Sequence, residues 1–211
     1  MNIINKLYRS KNTLLEMLDT RGYNTEKYKN FSINEIDVMY KAMDKKVSSE
    51  PNGLDFECVK DENNTYLKFI LHTKLRLANL KTLVDNMIED YVQPGDTIIF
   101  VVKDKINNVE TFDTFLTTYL EQQNILVQIF WIDTLLFNIT KHELVPPMRL
   151  LNEEEKKDIF TKANISNFNQ LPIILRGDPV AKFYGMKRGD LAEITRPSVT
   201  GGIYKNYRYC Q

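Results

Sequence analysis

Two short, almost wholly apolar stretches constrain the fold of this chain more than any other feature. They span Thr97–Val102 and Ile125–Trp131. Strands of this composition are covered on both faces, as in a parallel sheet with helices packed on it. Between them lies Thr111–Glu121, whose apolar residues recur at the three- and four-residue spacings of an amphipathic helix. A strand, a helix and a second strand in this order predict an α/β domain.

The upstream segments extend the same domain. Apolar spacing predicts a helix over Ile3–Thr20, and a second helix begins after Ser32 because Ser32 and Glu35 have the spacing of a capping box. Alternating apolar residues predict two paired strands between positions 54 and 72, and a helix is predicted over positions 77–91. We therefore expect a mixed sheet with helices packed on it.

Turn and cap residues organise the end of the chain. Asp178 has a short side-chain oxygen that can accept from the first helical turn, and Pro179 suits the first helical position. Gly185 can end this helix in the left-handed conformation that other residues avoid. A basic turn, Met186–Asp190, follows. The pattern predicts a short helix over Pro179–Tyr184.

A pair of strands is predicted after the basic turn. Leu191–Arg196 alternates as a strand with one apolar face, and we expect Pro197 to end it. Gly201-Gly202 supplies the next turn, and Ile203–Cys210 returns as a Tyr-rich strand. Helix and strand pair together predict a small α+β domain.

This ordered set of residues closely resembles the C-terminal assembly domain of the fifth subunit shared by eukaryotic RNA polymerases I, II and III, a family with an archaeal homologue. The matching residues are Leu171-Pro172, Asp178-Pro179-Val180-Ala181, Tyr184-Gly185, Lys187-Arg188-Gly189, Ile194, Arg196, Gly201-Gly202 and Tyr207-Arg208. A second block, Asn138–Pro146, matches just upstream, and an opening helix that ends in Arg21-Gly22-Tyr23 also follows the family pattern.

The resemblance implies a non-catalytic subunit of a multisubunit DNA-directed RNA polymerase. A C-terminal domain, residues 142–211, is expected to dock on the largest subunit and to lie beside neighbouring subunits. An N-terminal domain, residues 1–141, is expected to form part of the lower jaw near downstream DNA, on a nuclease-like scaffold that lacks the nuclease site. No cofactor, no metal, no membrane contact and no homo-oligomer are expected.

The residues predicted to serve partner binding all lie in the matching C-terminal segment. They are Asp178, Pro179, Lys187, Arg188, Gly189, Arg196, Tyr207 and Arg208. Planar guanidinium groups suit interface pairing, so the three arginines are expected to contact the partner. Asp178 and Pro179 are expected to set the helix, and Gly189 to give the backbone its shape.

Charge and cysteine content exclude some functions. The chain has 28 basic and 28 acidic residues, so net charge does not drive it onto nucleic acid or an anionic membrane. The segment after Leu171 is nevertheless basic, with seven Lys or Arg against three Asp or Glu. Cys58 and Cys210 lie far apart, which indicates a reduced, intracellular chain without a disulfide framework.

A free-standing nucleic-acid-binding or nuclease-like module is the alternative hypothesis. Asp55 and Glu57 on one strand are residue types that hold Mg²⁺ between paired carboxylates. Such nuclease sites commonly add a Glu-x-Lys on a neighbouring strand. Here that motif occurs only at Glu154/Lys156 and Glu155/Lys157, in a predicted helix outside the domain.

The loop Lys103–Asn108 departs from the family, which carries a Thr-Pro-Ser-Ala-like segment there. Lys103 and Lys105 are the candidates for contact with downstream phosphates. The divergence also suggests a polymerase outside the standard nuclear set, such as that of a large DNA virus. We therefore expect either the nucleus or, for a cytoplasmic virus, the cytoplasm and virion.

Overall fold

The structure is a computed structural model that describes residues 2–43, 51–60, 63–105, 109–198 and 201–211. In the part of the chain so described, no helix is both long and apolar enough to cross a bilayer.

The chain divides into two compact units, Met1–Phe137 and Asn138–Gln211. The division predicted from the sequence, between residues 141 and 142, lies slightly further along the chain. Each unit has its own sheet and its own helices.

The first unit contains a four-stranded mixed sheet. Its helices and strands are α1 (Ile3–Thr20), α2 (Ile33–Ala42), β1 (Phe56–Lys60), β2 (Asn63–Ile70), α3 (Leu77–Asp90), β3 (Thr97–Val102), α4 (Val109–Gln123) and β4 (Leu126–Trp131). The strand order is β1-β2-β3-β4, with β1 antiparallel to β2 and the other two pairs parallel. The predicted mixed sheet with helices is confirmed.

Strand β3 lies at the centre of this unit's core, and all six of its residues are buried. One face packs under α3 and α4, where Leu80, Val84 and Leu116 contact the cluster that contains Phe100. The other face is also covered, since Ile99 and Val101 are fully buried. Burial on both faces is the reason why this strand is apolar throughout.

Local signals set the ends of the first two helices. The Gly22 N–H donates to the Asp19 carbonyl and the Tyr23 N–H to the Leu18 carbonyl, both at 2.9 Å, while Gly22 takes a φ of 87°. At α2 the Glu35 N–H donates to Ser32 Oγ at 3.3 Å, and the Ser32 N–H donates to the Glu35 carboxylate at 2.6 Å. The predicted capping box is confirmed.

The second unit is built on another four-stranded mixed sheet. Its elements are β5 (Met148–Leu150), α5 (Glu153–Lys162), β6 (Ile173–Ile174), α6 (Pro179–Tyr184), β7 (Leu191–Ser198) and β8 (Gly202–Cys210). The strand order is β5-β7-β8-β6, and only the β6–β8 pair is parallel. The small core contains Met148, Ile174, Ala181, Met186, Ala192, Ile194 and Cys210. The predicted helix over Pro179–Tyr184 and the strand pair are confirmed, whereas β5 and β6 were not predicted.

The expectation that Pro197 ends its strand is wrong. Strand β7 continues to Ser198, and Pro197 pairs with Ile203 of β8. The Thr195 N–H donates to the Pro147 carbonyl, on the side of β7 away from β8. The backbone nitrogen of Pro197, two residues further along the strand, faces the same side. Strand β5 no longer flanks β7 at that point, so Pro197 breaks no ladder hydrogen bond.

Candidate partner-binding surface

The short helix α6 is fixed at both ends by its own residues. Asp178 Oδ1 accepts from the Val180 N–H at 2.8 Å and from the Ala181 N–H at 3.4 Å, and Pro179 occupies the first turn. Gly185 ends the helix with a φ of 69°. Because this oxygen of Asp178 serves its own helix, Asp178 shapes the surface by holding α6 in place.

The basic turn after α6 is tied to the end of β8. The Lys187 N–H donates to Asp190 Oδ2 at 2.7 Å, and the Gly189 N–H donates to the Cys210 carbonyl at 3.0 Å. Gly189 has a φ of 97°, yet a Cβ placed there would meet no heavy atom within 4 Å. The glycine is needed for the backbone conformation and not for space. The anchored turn displays the exposed Arg188 side chain.

The register of the β7–β8 hairpin sorts the remaining predicted residues onto two faces. Ala192 pairs with Arg208 and Arg196 pairs with Tyr204, and this face continues into the buried Cys210. Tyr207 pairs with Glu193 on the opposite face. Tyr207 and Arg208 therefore point in opposite directions, as adjacent strand residues must. The structure does not bring all the predicted residues to one spot.

Tyr207 belongs to a polar cluster around Glu193, which is only 6% exposed. Arg149 Nε lies 3.0 Å from Glu193 Oε1, Lys205 Nζ lies 3.1 Å from the same oxygen, and the Tyr207 hydroxyl lies 3.5 Å from Oε2. Burial alone would raise the pKa of Glu193, but the hydrogen bonds from Arg149 and Lys205 hold it below its ordinary value. Tyr207 is thus engaged within its own unit.

Arg196 and Arg208 differ from Tyr207 because one donor atom of each side chain lacks such a partner. The Nε atom of each is buried and has no hydrogen-bond acceptor in the described part of the chain. Buried donors in folded proteins are nearly always paired, and leaving one unpaired costs about 1–3 kcal/mol. Two guanidinium Nε atoms on one face of the hairpin therefore lack an acceptor among the described residues.

Large apolar side chains are exposed on the same unit. Ile173 and Leu175 lie at β6, an edge strand, and are 46% and 66% exposed, while Ile203 and Tyr204 near the hairpin turn are 71% and 44% exposed. Sequence reasoning missed Ile173 and Leu175 as surface residues. The apolar run that follows Pro172 was the available signal, and it is equally typical of a core strand.

Lys103 and Lys105 lie just beyond the carboxyl end of β3 and are both exposed. With Lys6 and Trp131 they line a cavity of about 340 Å³. Trp131 Nε1 donates to the Lys103 carbonyl at 2.7 Å and so holds the start of this loop, while Lys6 forms an ion pair with Asp133. Residues 106–108 of the predicted loop lie outside the described part of the chain.

The candidate nuclease carboxylate Asp55 is engaged in structural contacts. Its Oδ1 accepts from the Phe69 N–H at 2.7 Å, and its Oδ2 accepts from the Asn52 N–H at 2.8 Å and lies 3.5 Å from Lys68 Nζ. Burial raises the pKa of Asp55, and these contacts offset part of that rise. Among the described residues, no three His, Cys, Asp or Glu side chains converge as metal ligands.

Comparison with known proteins identifies the family. The sequence pattern described as RNA polymerase Rpb5, C-terminal domain, matches residues 137–210. Over its full length the chain is 33% identical to DNA-directed RNA polymerases I, II, and III subunit rpabc1 of Dictyostelium discoideum, with 100% of both chains covered. The chain belongs to the Rpb5 family. The subunit of the same name from Caenorhabditis briggsae is 27% identical, over 96% of this chain and 94% of that Rpb5 protein.

Membership of the Rpb5 family confirms the resemblance drawn from the C-terminal residues. The names of the relatives also confirm the prediction of a non-catalytic subunit that acts in transcription. The matched Rpb5 domain begins at Phe137, at the junction of the two units, and contains all the residues predicted for partner binding.

Proposed function

We propose that the chain is a structural subunit of a multisubunit DNA-directed RNA polymerase and docks on the largest subunit through its second unit. The relatives carry the names of polymerase subunits, which supports membership of such a complex. The observation that carries the docking proposal is the pair of buried, unsatisfied Nε atoms of Arg196 and Arg208. Carboxylates or carbonyls of the partner would complete these two donors.

Apolar side chains are exposed on both faces of the second unit's sheet, and one of them lies on the same face as the arginines. Tyr204 pairs with Arg196 and lies on the same face of the sheet, whereas Ile203 and Ile173 lie on the opposite face, and Leu175 directly follows the edge strand β6. Arginine and aromatic residues are enriched at interfaces, and permanent interfaces bury roughly 2,000 Å² or more. A surface of this composition gains stability when a partner covers it. Docking would therefore bury apolar surface that the isolated second unit exposes to solvent.

The first unit is proposed to form part of the lower jaw near downstream DNA. Lys103 and Lys105 lie at the carboxyl end of β3 beside Trp131, in a cavity that Asp104 and the Lys6–Asp133 ion pair also line. Lysine ammonium groups bind phosphates as point charges, and an indole ring provides a stacking surface. Since the chain as a whole carries no net charge, this contact is expected only when the polymerase positions the DNA.

We also infer that the first unit has a nuclease-like scaffold without its site. Asp55 precedes β1, and Lys68 lies on the neighbouring strand β2. The residue two positions before Lys68 is Tyr66, where a Glu-x-Lys motif would have a carboxylate. The ion pair between Asp55 and Lys68 leaves these two groups in a structural role.

A nuclear location follows from the proposal, because the relatives are subunits of eukaryotic RNA polymerases. A viral polymerase that acts in the cytoplasm and is packaged in the virion stays a prediction. Sequencing the genome that encodes the chain, or immunolocalisation of the chain in its source, distinguishes the nuclear location from the viral one.

The docking proposal is tested by purification of the tagged chain from its native source with washes at high salt. We expect the largest polymerase subunit to be recovered in equal amount. Replacing both Arg196 and Arg208 by Gln removes the charge and keeps a polar side chain, and it should reduce this recovery at least about tenfold.

Lys157→Gln with Lys162→Gln is the matched control, since it removes the same two positive charges and both lysines are exposed on α5. Circular dichroism verifies that every variant is folded. Full recovery of the large subunit with the variant that carries Arg196→Gln and Arg208→Gln would contradict the proposed role of the arginines. Recovery of the chain alone, with DNA binding or cleavage, would favour the free-standing module instead.

A further inference from the structure

A second cavity, of about 410 Å³, opens beside β1, β2 and the end of α3. Its volume lies in the range of ligand-binding pockets, roughly 300–1,000 Å³. Aromatic and acidic side chains line it, and the DNA contact and the docking surface proposed above use none of them. The cavity lies wholly within the first unit.

The buried part of this cavity is electrically balanced. Lys68 Nζ lies 3.5 Å from Asp55 Oδ2, and the two side chains are 4% and 5% exposed. The Asp55 oxygens also accept two backbone N–H groups. This pair therefore contributes no net charge to the lining.

Glu57 supplies the uncompensated charge. It is exposed on β1, directly across from Tyr66 of β2, and its carboxylate has no hydrogen bond or ion pair in the described part of the chain. Burial first, and then Asp55, Tyr66, Asp90 and Glu57, raise the pKa of Tyr91 to about 12.

Aromatic rings form the walls. Tyr66 and Tyr91 lie 4.9 Å apart between ring centroids, and the Tyr66 hydroxyl contacts the Tyr91 carbonyl at 3.4 Å. Tyr28 also lines the cavity, and its ring lies 4.8 Å from that of Phe56, whose side chain is buried on the face of β1 opposite to Glu57. The faces of aromatic rings attract cations, and aromatic cages bind quaternary and methylated ammonium groups. A carboxylate beside such rings adds direct charge attraction.

We propose that this cavity binds the ammonium group of a lysine side chain from a partner protein. Glu57 pairs with the ammonium, and Tyr66 and Tyr91 surround the methylene stem. The single uncompensated carboxylate selects a cation, and the aromatic walls select an alkyl chain over a hydrated metal ion. Polymerase assembly through the second unit does not depend on this site.

The test uses the full chain and n-butylammonium chloride, which has the end of a lysine side chain. Amide resonances of residues 57, 66 and 91 are followed by NMR at constant ionic strength, with sodium chloride as the comparator salt. We expect saturable shifts with a dissociation constant of about 1–10 mM, and binding at least about fivefold weaker in Glu57→Gln.

Glu89→Gln is the matched control, because it removes the same charge from an exposed position outside the cavity. This variant should bind n-butylammonium as the parent chain does. 1-Butanol, the neutral analogue of the same length, should bind at least about fivefold more weakly than the ammonium. Shifts that never saturate, equal binding by Glu57→Gln, or equal binding of 1-butanol would each overturn the proposal.

Discussion

Lys11 is a charged residue whose burial is costly to the first unit. It is 4% exposed on α1, with its Nζ 3.6 Å from the centre of the Phe31 ring and 5.5 Å from that of Phe56. Burial lowers the pKa of Lys11 to about 8, and the charge of Glu35 offsets part of this effect. The two rings compensate the ammonium through cation–π contacts, but they do not replace its lost hydration.

Replacing Lys11 by Met should stabilise the chain near pH 7 by roughly 1–3 kcal/mol, because the methylene stem remains and the desolvated charge is removed. Between pH 8 and the ordinary value of 10.5, the unfolded chain holds a proton that the folded chain has lost. The free energy of unfolding of the parent chain therefore rises with pH in this window, and the advantage of the variant shrinks.

Urea unfolding followed by circular dichroism at pH 7 and pH 10 measures both effects. Lys27→Met serves as the control, since Lys27 is exposed and its loss should change stability little. A less stable Lys11→Met variant at pH 7 would show that the ring contacts outweigh the cost of burial.

At the scale of single elements, strand β7 shows that the effect of a proline on stability depends on whether a neighbouring strand pairs with its backbone nitrogen. We expect Pro197→Val to change the stability of the second unit by less than about 1 kcal/mol, because no ladder hydrogen bond exists there to be gained. Thr195→Pro removes the donor to the Pro147 carbonyl and should cost about 3 kcal/mol. Thermal unfolding of the two variants makes the comparison, and equal costs would contradict the assigned register.

Elements with local signals were predictable from the sequence. The cap at Asp178, the box at Ser32 and the buried strand β3 each depend on residues within a few positions of one another. Strands β5 and β6 have three and two residues, too few for an alternating pattern. Their existence depends on distant partners such as Ile194 for Met148, which no local pattern reveals.

The candidate partner-binding surface likewise combines features that the local sequence predicts with features that depend on distant residues. Residue types suggested the arginines, and strand alternation correctly separated Tyr207 from Arg208. Which face of the hairpin meets the core depends on the packing of α6, so the unsatisfied Nε atoms became visible only in the folded unit. No local pattern indicated that Glu193 would engage Tyr207, because that contact follows from the pairing of β7 with β8.

For the molecule as a whole, charge separates the proposed subunit from a free DNA-binding protein. The 28 basic and 28 acidic residues cancel, although the segment after Leu171 has an excess of basic groups. Without a net field the isolated chain should bind duplex DNA only weakly. Fluorescence anisotropy with a labelled duplex measures this, and tight, salt-dependent binding would favour the alternative module.

In the assembled polymerase the two exposed loop lysines should matter. Replacing Lys103 and Lys105 by Glu should weaken the binding of downstream DNA. It should also lower the slope of log K against log salt concentration by the amount expected for the loss of about two phosphate contacts. Subunit composition should stay unchanged, because the docking residues lie in the other unit. Lys27→Glu with Lys81→Glu, two exposed lysines away from the loop, controls for net charge. If the two double variants weaken DNA binding equally, Lys103 and Lys105 act only through net charge. If neither variant changes DNA binding, Lys103 and Lys105 do not contact the downstream DNA.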